Sequence, residues 1–459
     1  MSDASPTSSE AALEAATRAV QDSEHPFVKL ALTDLDGVLR GKYVSRAKML
    51  SALEKGFGFC DVILGWDSND QLYPGLDLTG WHTGYPDAQV RVLPETMRTL
   101  PLEEGMLFFL CELDGRAEAV CPRGILRRVI DAAAAEGMHM TAGVEYEVFV
   151  FDETPASAKE KGYRDLVPFT PGNFGYSVLR SSVHAELYKD TFMLGAAMRM
   201  PIEGLHTETG PGVIEAALSP SAGVEAADRA NLFKTFFKVL LQRAGLLGTF
   251  MAKHSDEQPG QSGHIHVSLS DASGTNLFYD ANHPKGISDT MRWFIGGQQR
   301  LLPELLAMVA PTVNSYCRLV PGFWAPTSAT WGVENRTCAL RAIPGSAKSQ
   351  RVEFRVAAAD ANPYLALAAA LGAGLVGIRE KLEPTAPIEG NAYAAEPDPE
   401  LRFPSRLASA ADRLLASKHA RDLFGDTFVE HFATSRHWEE RELARTVTDW
   451  ELARYFEII

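Results

Sequence analysis

The chain has 459 residues, 46% hydrophobic and 22% charged, which suits two or three globular domains whose cores need no covalent staples. With 44 Lys and Arg against 59 Asp and Glu it carries a net charge of −15, so a general nucleic-acid binder is excluded and anionic ligands are expected only where arginines gather. Cys60, Cys111, Cys121, Cys317 and Cys338 are scattered without a Cys-x-x-Cys pair, which argues against a zinc site or a disulfide framework.

The first 25 residues are rich in Ser, Ala and Glu, lack an apolar signal core, and read as a helical or frayed tail. Residues 27–47, FVKLALTDLDGVLRGKYVSRA, hold two alternating strand-like runs joined around Asp36-Gly37, the pattern of a hairpin. A helix is expected near 46–56, then a strand over FCDVIL, a polar loop WDSNDQLYPG, and strands near 88–93 and 106–113. At 121–137, CPRGILRRVIDAAAAEG, a proline just inside the start, an apolar stripe and a terminal glycine predict a helix that opens a larger second unit. Beyond it strands are expected at 141–151, 213–219 and 264–270, and helices at 222–244, 287–309, 362–380 and 404–421. The Pro/Glu/Ala-rich stretch 383–403 reads as an extended loop. The apolar run at 361–378 contains Asn362 and Pro363 and is heavy in Ala and Gly, so it predicts a core helix and no membrane span. The resulting division is a tail (1–25), a small sheet-rich domain (26–120) and a catalytic domain (121–459) in a cytoplasmic protein.

Three short stretches carry the chemistry. Glu145-Tyr146-Glu147, His264-Ile265-His266 and Glu353-Phe354-Arg355 are each polar-apolar-polar inside a strand-like run. Strand side chains alternate, so both polar members of each project to one face. A lone Glu-x-Glu on a strand is ordinarily a solvated face, but GVEYEVFVF is too apolar for that. Carboxylates forced side by side repel unless a cation or a proton lies between them. With Glu208 and Glu215 the chain offers five carboxylates and one or two imidazoles, a donor set that suits Mg²⁺ or Mn²⁺ better than zinc. Arg318, Arg336, Arg341, Arg351 and Arg355 fall close together, with Lys348 the only lysine among them, and guanidinium forks suit carboxylates and phosphates. A divalent-cation cage beside an arginine cluster is equipment for phosphoryl transfer. No P-loop and no kinase motif set is present, so the nucleotide fold must be another one.

The ordered motifs VEYE, ETGPGVIE, GHIHVSL, NSYCRLVPG, ENRTCALR and RVEFRV followed by ANPYLALAA resemble the glutamine synthetase family, and DLDGVLRGK and TDWELARYF extend the likeness from about residue 27 to the end. That resemblance implies an α+β chain with an N-terminal β-grasp domain and a C-terminal catalytic domain built on a curved antiparallel sheet with surrounding helices. It also implies a homo-oligomer, a dodecamer of two stacked hexamers, with ATP as a substrate and two or three Mg²⁺ or Mn²⁺ ions. By position, Glu147, Glu208 and Glu215 match the ligands of one ion, and Glu145, His264 and Glu353 those of a second. His266, Ser268, Arg341 and Arg351 match nucleotide-binding positions. Arg318, Arg336, Arg355 and Gly260 match glutamate-binding positions, Arg336 also serving catalysis.

Two departures from the family pattern bear on the nucleophile. Glutamine synthetases proper carry Gly-Tyr-Glu-Ala-Pro where this chain has Gly322-Phe323-Trp324-Ala325-Pro326, so Trp324 stands in place of the glutamate that holds and deprotonates ammonium. Their Asp-Gly-Ser-Ser loop, which contributes to the ammonium site of the next subunit, is replaced by WDSNDQLY, in which Asp67 is the best match for a catalytic carboxylate and Asp70 the second. These changes resemble the γ-glutamyl amine ligases, which couple L-glutamate to a primary organic amine. The expected amine pocket is Trp324, Phe323, Asp67, Asp70 and Tyr176. An indole face packs alkyl or aryl groups, which points to an apolar amine. Two other readings stand beside this one: an ammonia-using glutamine synthetase, and a catalytically silent ring. Intact cation and arginine positions argue against the second.

Overall fold

The structure, a computed structural model, describes residues 8–459, so the first seven residues of the expected tail lie outside it. The helix Ser8–Asp22 buries Ala16 and Val20 in the same cluster as Met49 and Phe109. Phe27–Thr33 and Leu39–Ser45 pair antiparallel in unbroken register, as the alternation requires. Their turn is set by Asp34, whose Oδ1 accepts from the backbone N–H of Asp36 and Val38 at 3.0 and 2.9 Å. The helix Arg46–Lys55 starts at Ser45, whose side chain accepts from Lys48 N–H. FCDVIL is a strand only over Phe57–Cys60 and then turns into a 3₁₀ helix, Asp61–Leu64. The reason is its partner: after Cys60 pairs with Asp87 the next residue is Pro86, which has no N–H to continue the ladder.

Among the described residues this first sheet has the order Leu39–Ser45, Phe27–Thr33, Met106–Leu113, Asp87–Val92, Phe57–Cys60, with Arg98–Leu100 added on Met106–Leu113. The second runs Trp331–Val333, Leu340–Ile343, Arg351–Phe354, Gly263–Ser270, His139–Phe151, Val213–Leu218, Ile202–Thr207. It is antiparallel except where Trp331–Val333 meets Leu340–Ile343. One face of this sheet is packed: Tyr146 lies buried between Phe233 and Phe250. Helices Glu225–Arg243, Asp289–Val309 and Pro363–Glu380 belong to that core. The last two cross with backbones nearly touching, because a Cβ on Gly297 would stand 2.5 Å from Gly377 Cα. Asn362 caps Pro363–Glu380, which is buried along most of its length as its composition predicts. The expected helix 404–421 is broken in two, Leu407–Ala416 and Lys418–Phe424, since Ser417 accepts from Ala420 N–H and starts a new helix. No described helix is long and apolar enough to cross a membrane.

A buried ionic network ties the first sheet to the helices packed on the second. Arg123 donates to Glu112 of the first sheet at 3.0 Å and, through Nε and Nη2, to Asp228 at 2.9 and 3.1 Å. Tyr364 Oη donates to the same Asp228 at 2.7 Å. Glu112 is wholly buried and Asp228 nearly so. Arg123→Met leaves buried Asp228 with no cation and only the Tyr364 hydroxyl, and Glu112 with Arg91 and Arg127 alone, and is expected to lower unfolding free energy by about 3 kcal/mol. Urea unfolding would measure it, and a loss below about 1 kcal/mol would mean that the network is no stronger than surface ion pairs.

Candidate active site

The second face of the large sheet carries the polar residues, and strand register decides which of them meet. His264 is opposite Glu145, Glu147 is opposite Glu215, His266 is opposite Glu353, and Glu353 is opposite Arg341. The alternation expected within each strand is thus repeated across five of them, on the floor of a cavity of about 570 Å³. Glu145, Glu147, Glu208, Glu215, His264, His266 and Glu353 line it. So do Arg318, Arg336, Arg341, Arg351, Arg355, Gly260, Tyr176, Phe323 and Trp324. Ser268 opens instead into an adjoining cavity of about 280 Å³ that shares Glu145, His266 and Arg351.

The carboxylates are crowded enough to repel. Glu215 is pushed up to about 9, first by burial and then by Glu147, Glu145 and Glu208. Burial likewise raises Glu147, against hydrogen bonding from Ser262 and the field of Arg318. At Glu145 and Glu353 burial is outweighed, by His266 in the first case and by Arg355, His266 and Arg341 in the second, and both sit below the ordinary carboxylate range. His264 is held neutral by burial and by Arg355 and Arg318, and its Nε2 is buried without a hydrogen-bond partner. Glu208 Oε2 is a second such atom. A neutral imidazole, unpaired carboxylate oxygens and mutual repulsion are the donor set of a divalent cation, and these residues fit one.

Cation binding at neutral pH is therefore expected to release about one proton, chiefly from Glu215. The raised Glu215 contributes stability to the cation-free protein that is complete below 4.5 and lost as pH rises through about 9. Calorimetric titration of Mg²⁺ in buffers of different ionisation enthalpy would count the proton. Release of none would mean that Glu215 is already ionised.

The arginines differ in what occupies them. Arg341 is held by Glu353 at 2.9 Å and by Glu334, and Arg355 Nη1 donates to Glu353. Arg351 Nε donates to His266 Nδ1 at 3.1 Å. Arg318 is buried and gives two hydrogen bonds to the carbonyls of Val356 and Arg355. Gly260 lies against it so closely that a Cβ there would stand 2.5 Å from Arg318 Cγ. Arg336 reaches the cavity wall with no hydrogen bond or ion pair to any described residue. Its whole guanidinium is available to an anion.

The tight clusters of possible ligand atoms are Glu145, His266, Glu353 and, separately, His206, Glu208, Glu215. His266 Nε2 lies 3.0 Å from Glu145 Oε1, and His264, opposite Glu145 in register, has its Nδ1 3.6 Å from Glu353. Glu147 stands apart because its Oε2 accepts from Ser262 N–H at 2.6 Å. His206 escaped the sequence reading, yet His206 and Glu208 have the same alternate spacing as the polar pairs of the other three stretches, with Thr207 between them in place of an apolar residue. Asp67 and Asp70 are not brought to this cavity. Asp67 is buried, accepting from the N–H groups of Asn69 and Gln71 and from Trp438 Nε1 at 2.9 Å, and Asp70 pairs with Arg40 at 2.9 Å. The flap Pro321–Trp324 does reach it. Phe323 lies under Lys253 Nζ, 4.5 Å from its ring centre, and Trp324 adopts φ 58° at the cavity mouth.

A sheet floored with carboxylates that fit a divalent cation and rimmed by arginines is the site of an enzyme that handles anionic substrates. Residues 119–455 match the family described as glutamine synthetase, catalytic domain. The chain is 44% identical to type-1 glutamine synthetase 2 of Dictyostelium discoideum over 96% of its own length and 85% of that protein's. It is 36% identical to glutamate–isopropylamine ligase of a Pseudomonas species (94% and 95% covered) and 37% identical to γ-glutamylethanolamide synthetase GlnA4 of Streptomyces coelicolor (94% and 92% covered). The solved structure of GmaS without ligand superposes with a TM-score of 0.83 at 27% identity, covering 96% of this chain and 99% of that one. The chain belongs to the glutamine synthetase family. It is accordingly a carbon–nitrogen ligase with the α+β fold expected of that family.

Proposed function

We propose that the protein joins the γ-carboxylate of L-glutamate to an apolar primary monoamine, at the expense of ATP. One observation carries the choice of amine. Every carboxylate lining the cavity belongs to the set that fits cations, while the mouth is formed by Trp324, Phe323 and Tyr176. A diamine would leave its distal ammonium without a free carboxylate, whereas an alkyl or aryl tail gains from burial against aromatic faces. Similarity to an isopropylamine ligase supports the same reading.

In this reading Glu147, Glu208 and Glu215 hold one divalent cation, and Glu145, Glu353 and His264 or His266 hold another. The ions would supply charge neutralisation along the phosphates. Arg318 and Arg355, with Gly260 leaving room beside them, seat glutamate. A γ-carboxylate oxygen attacks the terminal phosphorus of ATP, ADP leaves, and unpaired Arg336 balances the charge that develops on the transferred phosphoryl group. The neutral amine then attacks the acyl carbon, the bond from that carbon to the phosphate oxygen breaks, and the departing phosphate takes up the proton the nitrogen loses. Arg341, Arg351 and Ser268 line the route to the adjoining cavity, which suits the nucleoside. Asp67 and Asp70 would meet a substrate only across a contact with another copy, in keeping with a ring assembly.

The 44% identity to a type-1 glutamine synthetase favours a second reading, in which ammonia is the nucleophile. Phosphate release from ATP and glutamate with ammonia, isopropylamine, ethanolamine, putrescine and aniline, with products identified by mass, separates the two. Turnover with isopropylamine or aniline well above ammonia is expected. Turnover with ammonia alone would overturn the proposal.

A further inference from the structure

His206 is an imidazole that neither the sequence motifs nor the family positions account for. It sits at the end of Ile202–Thr207, directly opposite Glu215 in register, and its Nε2 is 3.6 Å from Glu208 Oε2 and 3.8 Å from Glu215 Oε2. Both distances are too long for hydrogen bonds, and His206 Nε2 and Glu208 Oε2 are buried without partners. Donor atoms bonded at about 2.1 Å to one octahedral ion stand about 3.0 Å apart when cis and about 4.2 Å apart when trans, so both distances fall within the span of a shared ion. The three ligand atoms all lie within 4.8 Å of one another, close enough to converge on a common ion.

The ring is also held in place for this. Tyr176 lies flat on it, with ring centres 4.4 Å apart and planes 9° apart. Tyr176 is itself fixed by a left-handed backbone, φ 55°, and by its N–H donating to Thr207 O at 2.7 Å, one residue from His206. Ser177 N–H donates to Thr207 Oγ1 at 2.9 Å and Thr207 Oγ1 to Phe174 O at 2.8 Å, so the covering segment is tied to the strand that carries the imidazole.

We propose that His206 is a nitrogen ligand of the cation held by Glu208 and Glu215, positioned by Tyr176, and that it makes this site select Mn²⁺ over Mg²⁺. Carboxylate oxygens alone serve Mg²⁺ well, whereas an imidazole adds a softer donor that favours a transition metal. The inference rests on the cation-dependent ligase reading, but it concerns which ion sits at one site and not which amine is used.

The test is Mn²⁺ binding to the full chain, by calorimetry against Mg²⁺ and by pulsed electron paramagnetic resonance of nitrogen couplings to bound Mn²⁺. In His206→Ala one nitrogen coupling should disappear, those from the His264 and His266 side should stay, and the Mn²⁺/Mg²⁺ affinity ratio should fall about tenfold or more. Tyr176→Leu, which keeps the imidazole but removes its cover, should lower the same ratio by a smaller factor with the coupling retained. It serves in place of His206→Ala should that variant fail to fold. Unchanged couplings and ratio in His206→Ala, or an unchanged ratio in Tyr176→Leu standing in for it, would overturn the inference and leave the ligase reading intact. Absence of Mn²⁺ and Mg²⁺ binding by the wild-type protein would overturn both.

Discussion

Glu353→Gln is expected to lower kcat by about three orders of magnitude, equivalent to about 4 kcal/mol of transition-state stabilisation. Glu353 is 2% exposed and sits where three functions cross. Its carboxylate accepts from Arg341 and Arg355, and it lies beside His264 and opposite His266 on the cavity floor. An amide of the same shape keeps the packing but removes the charge that compensates two guanidinium groups and would neutralise a cation. Its NH₂ would also face an arginine, donor against donor. Breaking a buried pair on one side costs about 3–5 kcal/mol, so the cation-free variant should also unfold earlier in urea. Turnover at saturating Mg²⁺ or Mn²⁺, with unfolding followed in parallel, separates the two losses. More than a tenth of wild-type turnover would reduce Glu353 to a structural partner of the arginines.

The cavity floor was legible because its pattern is local. Polar-apolar-polar triplets such as Glu145-Tyr146-Glu147 fix which face each side chain takes, and apolar flanks place that face inside the molecule. Which triplets meet is a matter of register between strands more than a hundred residues apart, so His206 facing Glu215 was hidden although its own spacing carried the signal. Asp67 differs in kind: its expectation came from a match to a family loop that serves the next subunit, and within this chain an Asx turn and the indole of Trp438, far along the sequence, hold its carboxylate. Short strands such as Leu247–Thr249 and Trp331–Val333 have too few residues to display a period and exist because a long neighbour pairs with them. The break at Ser417 was equally invisible to periodicity, since a cap is a single hydrogen bond.

Trp324→Glu is expected to raise the preference for ammonia over isopropylamine, as a ratio of kcat/KM values, by about a hundredfold. The flap is built so that this exchange alters chemistry without moving the loop. Phe323 anchors it under Lys253, whose backbone is clamped on both sides by Asn314, at 2.8 Å each way. Trp324 is 56% exposed, so its loss removes little core, and glutamate suffers no more than tryptophan does from a left-handed φ. Two effects then act in the same direction. Removing the indole takes away an apolar wall, which for a small branched alkyl group is worth about 1–3 kcal/mol. Adding a carboxylate gives ammonium a charge-assisted partner worth about 1.5–3 kcal/mol and a base to accept its proton. Their sum, about 2.5–6 kcal/mol, begins near seventyfold and so covers a hundredfold, and competition between the two amines in one reaction, read by product mass, measures the ratio directly. A shift of less than threefold would mean that the indole is a bystander at the cavity mouth, and that selection among amines is made deeper in, at the Tyr176 face. Because Tyr176 already covers His206, discrimination there would tie the choice of nucleophile to the cation site itself, and Trp324→Glu combined with Tyr176→Leu would then shift the ratio where the single flap variant did not.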